Sequence, residues 1–265
     1  MAILKSQEHI GNYTVQSLIK SNVFTETYRV EDSNQNPFFL KLFVLKNMPQ
    51  NLIDPKSKKV KEILYCSTLS HKNLLSFVDS GEEERQEGKI QYYVTSYLTG
   101  GILSDKLLRV GALEENEALE IFGGILEALQ YLHNQSPALC HNDLDPSNIM
   151  LTQLEGSQVQ LIDFGHLFVR MSGSVEISTS DLDVHYHADE TMVGVFDEQG
   201  DVFSACAILY TMLSGSTPWK EASIDTEGDF KTKMTAMRQY RKTHGLDIDS
   251  LKASDKTKYI IKHGT

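Results

Sequence analysis

The sequence predicts an α+β fold in two lobes, a small β-rich one followed by a larger helical one. Short runs of β-branched and aromatic residues fill the first hundred positions, and long segments with apolar residues at helical spacing fill the rest. The change of character falls at Gly100-Gly101. Strands gathered before helices are typical of α+β chains. We therefore expect residues 1–97 to form the first lobe and residues 98–265 the second.

The individual elements follow from local pattern. The predicted strands are Tyr13–Ile19, Thr25–Glu31, Phe38–Val44, Leu74–Val78 and Ile90–Tyr97. A helix is predicted over Asn51–Leu69, and the charged stretch Gly81–Lys89 is predicted to be a solvated hairpin loop. Leu113–Gln135 is predicted to be a long amphipathic helix. Asp201–Leu213 is apolar nearly all round, so we expect it in the middle of the helical lobe.

Composition narrows the class of protein. The 265 residues are 40% hydrophobic, which excludes a disordered or collagen-like chain. The formal net charge of −11 argues against bulk binding to nucleic acid or to an anionic membrane. Three widely spaced cysteines fit a reducing compartment better than a disulfide framework. The expectation is a cytoplasmic protein with no nucleic-acid partner and no membrane partner.

Three short segments carry the residue types that phosphoryl transfer needs. Such a reaction uses a cation on the phosphates, oxygen ligands for Mg²⁺ and a carboxylate that orients the attacking hydroxyl. Phe39-Leu40-Lys41 places a lysine on a predicted strand. The segment from His141 to Asn148 supplies Asp143 and Asn148, and Asp163-Phe164-Gly165 supplies a second carboxylate. Any one of these residues alone is weak evidence, but the set is specific.

The order and spacing of these segments resemble the eukaryotic-like protein kinases. His-x-Asp-x-x-x-x-Asn is followed, fifteen residues after the Asn, by Asp-Phe-Gly, and the resemblance spans Tyr13 to Trp219. It implies a two-lobed protein-kinase-like fold, the use of ATP and Mg²⁺, and transfer of the γ-phosphate to serine or threonine hydroxyls of a protein substrate.

The resemblance also implies a role for each matching residue. Asp143 would be the catalytic base, and Lys41 would hold the phosphates, fixed by Glu62, which lies nine residues before His71. Asn148 and Asp163 would hold Mg²⁺. The remaining nucleotide contacts would come from the hinge backbone at Ser96 and Leu98, with Thr95 as gatekeeper, and from Met150.

Further matches lie toward the end of the chain. Ala188-Asp189-Glu190 resembles the Ala-Pro-Glu that closes the activation segment, and Asp201 resembles the aspartate that braces the catalytic loop. Residues 166–187 would carry the substrate groove. Within it, the hydroxyl side chains open to phosphorylation are Ser172, Ser174, Ser178, Thr179 and Ser180.

Several positions depart from the family pattern. Lys20, Asn22 and Thr25 stand at the three positions of the glycine-rich loop. Side chains there would loosen the grip of the loop on the phosphates. Phe39 replaces the small residue above the adenine, and its ring could stack on the base or fill its pocket. Asn142, Asp145 and Asp183 replace the usual Arg, Lys and Thr.

The end of the chain departs as well. The family's partner for Glu190 is an arginine near the close of the helical lobe, yet no arginine follows Arg241. We expect that the chain is truncated or belongs to a longer protein with a fused or regulatory domain, or that another cation serves.

Three functions therefore stay open. The complete set of Lys41, Glu62, Asp143, Asn148 and Asp163 favours an active protein kinase. The missing glycines, Phe39 and Asp145 favour a pseudokinase that binds nucleotide or protein without turnover. A small-molecule phosphotransferase is the third alternative, because such enzymes share the His-x-Asp-x-x-x-x-Asn loop and often lack the catalytic-loop Lys.

Overall fold

The computed structural model describes residues 2–169, 182–193, 195–222, 224 and 228–265. The chain folds into two compact units, residues 1–97 and 98–265. The first unit is built on an antiparallel sheet and the second on α-helices. The predicted α+β fold, with a small β-rich part first and a larger helical part second, is confirmed. The five candidate phosphorylation positions between 172 and 180 lie outside the described residues.

The sheet of the first unit has six strands in the order β1-β2-β3-β4-β6-β5, and all neighbours are antiparallel. The strands are β1 His9–Ile10, β2 Tyr13–Ser21, β3 Thr25–Glu31, β4 Pro37–Val44, β5 Phe77–Arg85 and β6 Gly88–Ser96. One helix, α1 Lys61–Thr68, joins β4 to β5. Strand residues alternate between the two faces of a sheet, so the register determines which side chains meet.

One face of this sheet is the core of the unit. Its buried residues include Leu4, Ile10, Tyr13, Val15, Tyr28, Val30, Leu40, Leu42, Val44, Ile90, Tyr92 and Val94. The opposite face carries Lys41, which pairs across the ladder with Thr27 on β3 and Tyr93 on β6. We call this second face, with Thr27, Lys41 and Tyr93 at its centre, the lysine face.

The two edge strands of the sheet come together because the sheet is curled. Arg85, at the end of β5, donates to Glu8 at 2.5 Å and to the His9 carbonyl at 2.9 Å. The Gly11 N–H donates to Glu83 at 2.9 Å. A Cβ added at Gly11 would lie 2.3 Å from the Tyr92 hydroxyl, so only glycine fits this approach. The segment that contains β1 is thus attached to the hairpin at the far edge.

Three predictions for the first unit are wrong. The strand expected near Leu74–Val78 begins only at Phe77, as the start of β5. The helix expected over Asn51–Leu69 is only the second part of that range, α1, because Pro55 and the left-handed residue Lys58 (φ 60°) interrupt the chain before it. The charged stretch Gly81–Lys89 is mostly strand, since β5 extends to Arg85 and β6 begins at Gly88. Along Gly81–Arg85, exposed residues alternate with partly exposed ones, so these charged side chains lie on a strand and still reach solvent.

The second unit is helical. Its helices are α2 Leu103–Val110, α3 Glu115–His133, α4 Glu198–Ser214, α5 Phe230–Arg241 and α6 Asp255–Gly264. Among the described residues of this unit, four short strands pair in two ladders, β7 Leu139–Cys140 with β10 Phe168–Val169 and β8 Ile149–Leu151 with β9 Val159–Leu161. All residues from Ser204 to Leu213 of α4 are buried, which confirms its predicted place in the middle of the helical core.

Buried thiols complete the core. Cys66, Cys140 and Cys206 are free and buried, as predicted for Cys66 and Cys206. Burial raises the pKa of the Cys206 thiol to about 11, so it stays protonated and inert.

Candidate active site

On the lysine face of the first unit, a lysine and a glutamate form a buried pair. Lys41 Nζ lies 2.8 Å from Glu62 Oε1, and the two side chains are 15% and 6% exposed. Glu62 comes from the first turn of α1, and the same oxygen accepts a hydrogen bond from the Tyr93 hydroxyl at 2.8 Å. The Lys41 ammonium also lies 5.7 Å from the centroid of the Phe43 ring. These contacts fix the position of the ammonium group.

Phe39 lies on the same face, two residues before Lys41. Its ring centroid is 4.6 Å from that of Tyr97, with a tilt of 38°. The Arg29 guanidinium in turn lies 5.4 Å from the Tyr97 ring. Phe39 thus already packs against an aromatic side chain of its own unit, which favours a space-filling role for its ring.

The hairpin between β2 and β3 occupies the place of a glycine-rich loop. At its tip, Asn22 Oδ1 accepts from the Phe24 N–H at 3.1 Å and from the Thr25 N–H at 2.8 Å. The Asn22 N–H donates to the Thr25 carbonyl at 2.9 Å. Two of the backbone donors that could bind a phosphate at this tip are therefore used by a side chain of the hairpin itself.

In the second unit, a buried aspartate braces the segment that contains Asp143. Asp201, on α4, is 1% exposed. Its carboxylate accepts from the backbone N–H groups of His141 and Asn142, each at 2.8 Å, and lies 2.8 Å from His133 Nε2. The sequence predicts this brace through Asp201, and the His141 and Asn142 bonds have the geometry expected for it. The contribution of His133, from the last turn of α3, has no signal in the sequence.

The same carboxylate is part of a group of potential metal ligands. The ligand atoms of His133, Cys140 and Asp201 lie within 4.8 Å of one another. However, the Asp201 oxygens already have three hydrogen-bonding partners. The group is therefore best explained as the anchor of the loop.

The next residue, Asn142, ties the loop to the chain that follows Asp163. Asn142 has a left-handed backbone (φ 61°), a conformation that asparagine tolerates better than most residues. Its side-chain amide donates to the carbonyls of Cys140 at 3.1 Å and His166 at 3.2 Å. A neutral side chain thus occupies the position where the family usually has an arginine.

Asp143 and Asn148 are joined within this loop. Asn148, 6% exposed, donates from Nδ2 to the Asp143 carbonyl at 2.8 Å. This bond uses the nitrogen of the carboxamide and keeps its oxygen as the potential metal ligand. The Asp143 carboxylate is 13% exposed and lies 3.9 Å from His166 Nε2, a neighbour that the sequence does not reveal.

Asp163 follows β9 in a left-handed conformation (φ 61°), and its Oδ1 accepts from the Gly165 N–H at 3.3 Å. Phe164 is buried and packs edge-on against His141, with ring centroids 5.8 Å apart. Burial lowers the pKa of His141, and the carboxylates of Asp201 and Asp163 oppose this shift only in part. His141 is therefore a neutral packing residue.

The two unusual aspartates have local structural partners. Asp145 Oδ1 accepts from the Ser147 N–H at 2.5 Å and so caps the short 3-10 helix Pro146–Asn148. Asp183 accepts from the His185 N–H at 3.0 Å and lies 2.7 Å from His185 Nδ1. Burial opposes ionisation of Asp183, but these His185 contacts outweigh it and lower the pKa of the carboxyl group.

The remaining predicted nucleotide contacts come from the end of β6, from the residues that follow it, and from β8. Thr95 is buried on β6, and the backbone N–H of Ser96, the last residue of β6, donates to the Ser76 carbonyl at 3.0 Å. Leu98 is the first residue of the second unit and is partly exposed. Met150 lies on β8 between two buried residues and is itself partly exposed, as expected for the opposite side of the strand.

An arginine holds the segment that ends in Ala188-Asp189-Glu190, but through Asp189 and not through Glu190. Arg241, the last residue of α5, donates to Asp189 Oδ1 at 3.1 Å. The acidic partner is thus Asp189, at the position where the family has proline, and the cation comes from a helix that the sequence pattern does not predict.

The sequence of the chain matches a known protein family over most of its length. The model of the protein kinase domain family matches residues 19–262. The chain belongs to the protein kinase domain family. The two-lobed kinase fold predicted from the motifs is therefore confirmed.

Three relatives show how far the similarity extends along this chain and along the related proteins. It is 31% identical over 195 residues to "Ribosomal protein S6 kinase 2 alpha" from Gallus gallus, covering 72% of this chain and 25% of the relative. It is 29% identical over 210 residues to "Calcium-dependent protein kinase 4" from Plasmodium falciparum, covering 78% of this chain and 37% of the relative. It is 30% identical over 166 residues to "Probable serine/threonine-protein kinase HSL1" from Saccharomyces cerevisiae, covering 62% and 10%. The kinase domain thus spans well under half the length of these relatives.

The α-helices of the described residues range in length from eight residues, as in α1, to nineteen, as in α3. Within the described ranges, none of them is both long enough and apolar enough to cross a bilayer.

Proposed function

We propose that this kinase domain transfers the γ-phosphate of ATP to serine or threonine hydroxyls of protein substrates. The observation that carries the proposal is the preformed catalytic loop, in which Asn148 is bonded to the Asp143 carbonyl and the loop backbone is bonded to buried Asp201. Preorganised groups of this kind lower the barrier because they need no rearrangement when the reaction occurs. The kinase names of the relatives support protein substrates over small molecules.

Each residue has one task in this proposal. Lys41, held by Glu62 and Tyr93, binds the α- and β-phosphates through its ammonium group. Asp143 accepts a hydrogen bond from the substrate hydroxyl and aligns its oxygen for attack on the γ-phosphorus. The hydroxyl proton passes to the Asp143 carboxylate as the new phosphoester bond forms, and ADP leaves. The backbone at Ser96 and Leu98 and the side chain of Met150 bind the adenine.

Mg²⁺ fits the donor set, since a carboxylate at Asp163 and a carboxamide oxygen at Asn148 are the hard ligands it prefers. When bound, the ion would neutralise negative charge on the transferring phosphate. We assign the two lobes of the proposed enzyme to residues 1–97 and 98–265.

Thermal unfolding with and without Mg-ATP tests the nucleotide site. Ligand at about 100 times its Kd stabilises a protein by about 2.7 kcal/mol, which corresponds to an increase in Tm of about 5–10 °C for a chain of this size. We expect this increase in the wild type with Mg²⁺ present, and its loss in Asp163→Ala. Asp249→Ala, the same change at an exposed aspartate of the same unit, should keep it. An equal increase in Asp163→Ala would contradict the assigned metal ligand.

A second function, binding without turnover, is favoured by the closed hairpin tip. The N–H groups of Phe24 and Thr25 are bonded to Asn22, and Phe39 packs on Tyr97. Both features would weaken nucleotide binding. A pseudokinase of this type would show no Mg-ATP shift in Tm and no transfer to any protein substrate.

Asn22→Gly should strengthen nucleotide binding. Removal of the carboxamide frees two backbone donors, and glycine lets the hairpin approach the phosphates, so we expect Kd for Mg-ATP to fall about tenfold, or about 1.4 kcal/mol. Isothermal titration calorimetry measures this. Asn34→Gly, at the neighbouring β3–β4 turn, is the matched control and should not change Kd. An unchanged or weaker Kd in Asn22→Gly would indicate that this hairpin does not bind phosphate.

A further inference from the structure

One guanidinium group holds the segment of residues 183–189 to helix α5. Arg241 Nη1 donates to the His187 carbonyl at 2.8 Å and to the Asp189 carboxylate at 3.1 Å. Arg241 Nη2 donates to the Val184 carbonyl at 3.0 Å and lies 3.4 Å from the His185 carbonyl. A single side chain therefore binds the segment at four places over six residues.

The backbone of the 183–189 segment depends on these bonds. It is short, and its one complete turn is the 3-10 helix Val184–Tyr186, so most of its carbonyls need partners outside the segment. Of the five carbonyls from Asp183 to His187, three accept from Arg241 and one, that of Tyr186, accepts from the Ser204 hydroxyl at 2.6 Å. Loss of the guanidinium would leave three of the five without their donor.

The guanidinium itself is enclosed. It lies 4.8 Å from the Phe203 ring and 4.3 Å from the Trp219 ring, and these two rings are stacked at an interplanar angle of 8°. The Arg241 side chain is only 9% exposed. Arginine suits this position because its planar guanidinium can stack on aromatic rings and donate several hydrogen bonds from its edge at the same time. The ammonium group of lysine cannot do both.

The same segment is bonded to the catalytic loop. His187 is 3% exposed and has a ring nitrogen near a carbonyl on each side: Nδ1 lies 2.8 Å from the Asp183 carbonyl, and Nε2 lies 3.0 Å from the Asn142 carbonyl. Asn142 immediately precedes Asp143 in the chain. A displacement of the 183–189 segment would therefore act directly on the backbone next to the proposed base.

We propose that Arg241 is the positioning residue of the protein-substrate site, because it fixes the 183–189 segment relative to the catalytic loop. The inference rests on the proposed function in that this segment closes the substrate groove. Arg241 touches neither the nucleotide nor the reacting hydroxyl, so its effect should appear in the binding of the protein substrate and in the order of the segment.

Hydrogen exchange of the whole chain tests the positioning role without reference to activity. In Arg241→Gln, we expect backbone amides of residues 183–189 to exchange at least tenfold faster, while amides of α3 keep their wild-type rates. Arg241→Lys should give nearly the same increase, since an ammonium can keep the Asp189 pair but not the carbonyl bonds. Arg238→Gln is the matched control, because Arg238 lies one turn earlier on α5, is 45% exposed and reaches Asp189 only at 3.6 Å. It should exchange as the wild type does.

Steady-state kinetics with a protein substrate gives the second measurement. We expect Arg241→Gln to raise KM for the protein substrate at least tenfold and to leave KM for ATP within twofold. A general loss of folded protein would instead lower the apparent kcat and leave both KM values unchanged. The proposal would be overturned if residues 183–189 of Arg241→Gln exchanged at wild-type rates. It would also be overturned if Arg238→Gln changed the exchange rates and KM as much as Arg241→Gln does. If Arg241→Gln does not fold, Arg241→Lys decides by the same exchange criterion. A wild type without transfer activity would contradict the proposed function, while the exchange result would still decide the role of Arg241.

Discussion

Asp143→Asn should abolish phosphate transfer while Mg-ATP still binds. The amide has the same shape as the carboxylate but cannot take the proton of the substrate hydroxyl, and loss of a positioned base costs about 10²- to 10⁴-fold in rate. The surrounding loop should stay in place because its anchors are the Asn148 bond to the Asp143 backbone carbonyl and the bonds to Asp201. The measurement is γ-phosphate transfer to a protein substrate, with the Mg-ATP increase in Tm as the check on binding.

Asp145→Asn is the matched control for this experiment. Asparagine caps a helix as well as aspartate does, so the bond to the Ser147 N–H can persist while the charge two residues from Asp143 is removed. We expect transfer within about threefold of the wild type, consistent with a capping role for Asp145. Undiminished transfer in Asp143→Asn would remove Asp143 from the mechanism. If Asp145→Asn lost as much transfer activity as is expected for Asp143→Asn, Asp145 would have to act in the reaction.

Asp201→Ala should strongly destabilise the second unit. It removes a buried carboxylate and leaves the N–H groups of His141 and Asn142 without an acceptor, at about 1–3 kcal/mol for each unsatisfied group. We expect a loss of about 3–5 kcal/mol in the free energy of unfolding, measured by urea denaturation, and loss of transfer activity as the loop is released. Asp201→Asn, which keeps one acceptor oxygen, should lose about half as much.

Asp197→Ala provides the comparison for Asp201 on the same helix. Asp197 caps α4 through the N–H groups of Gln199 and Gly200, and loss of such a cap costs about 1 kcal/mol. If Asp201→Ala costs no more than Asp197→Ala, the buried brace is not the main support of the loop.

The sequence predicts the fold and the residue types of the site because both depend on short-range patterns. A short run of β-branched and aromatic residues predicts β3, Thr25–Glu31, with the bounds found in the structure. Motif spacing likewise singles out Asp143, Asn148 and Asp163. The helix predicted from Asn51 fails because its apolar spacing continues through Pro55, where an α-helix cannot.

The supports of the site are less visible in sequence. Arg241 and His187 contact mainly backbone carbonyls. Because every residue has a backbone carbonyl, no particular residue type in the sequence indicates these contacts. The closed hairpin tip likewise depends on where the Asn22 side chain points. The substitution of glycine at that position can be read from the sequence, but the hydrogen bonds that replace the open loop cannot.

The curled sheet of the first unit bears on how the protein behaves at high concentration. An open six-stranded sheet has two rows of unpaired backbone groups that can add strands from a second molecule. Here Arg85 joins one margin to the other through Glu8 and the His9 carbonyl, and β1 is only two residues long. The two edge strands thus shield each other's unpaired backbone groups, and the charged side chains of Arg85 and Glu8 lie where these strands meet. This arrangement should disfavour amyloid-like self-association, and Arg85→Ala should increase it.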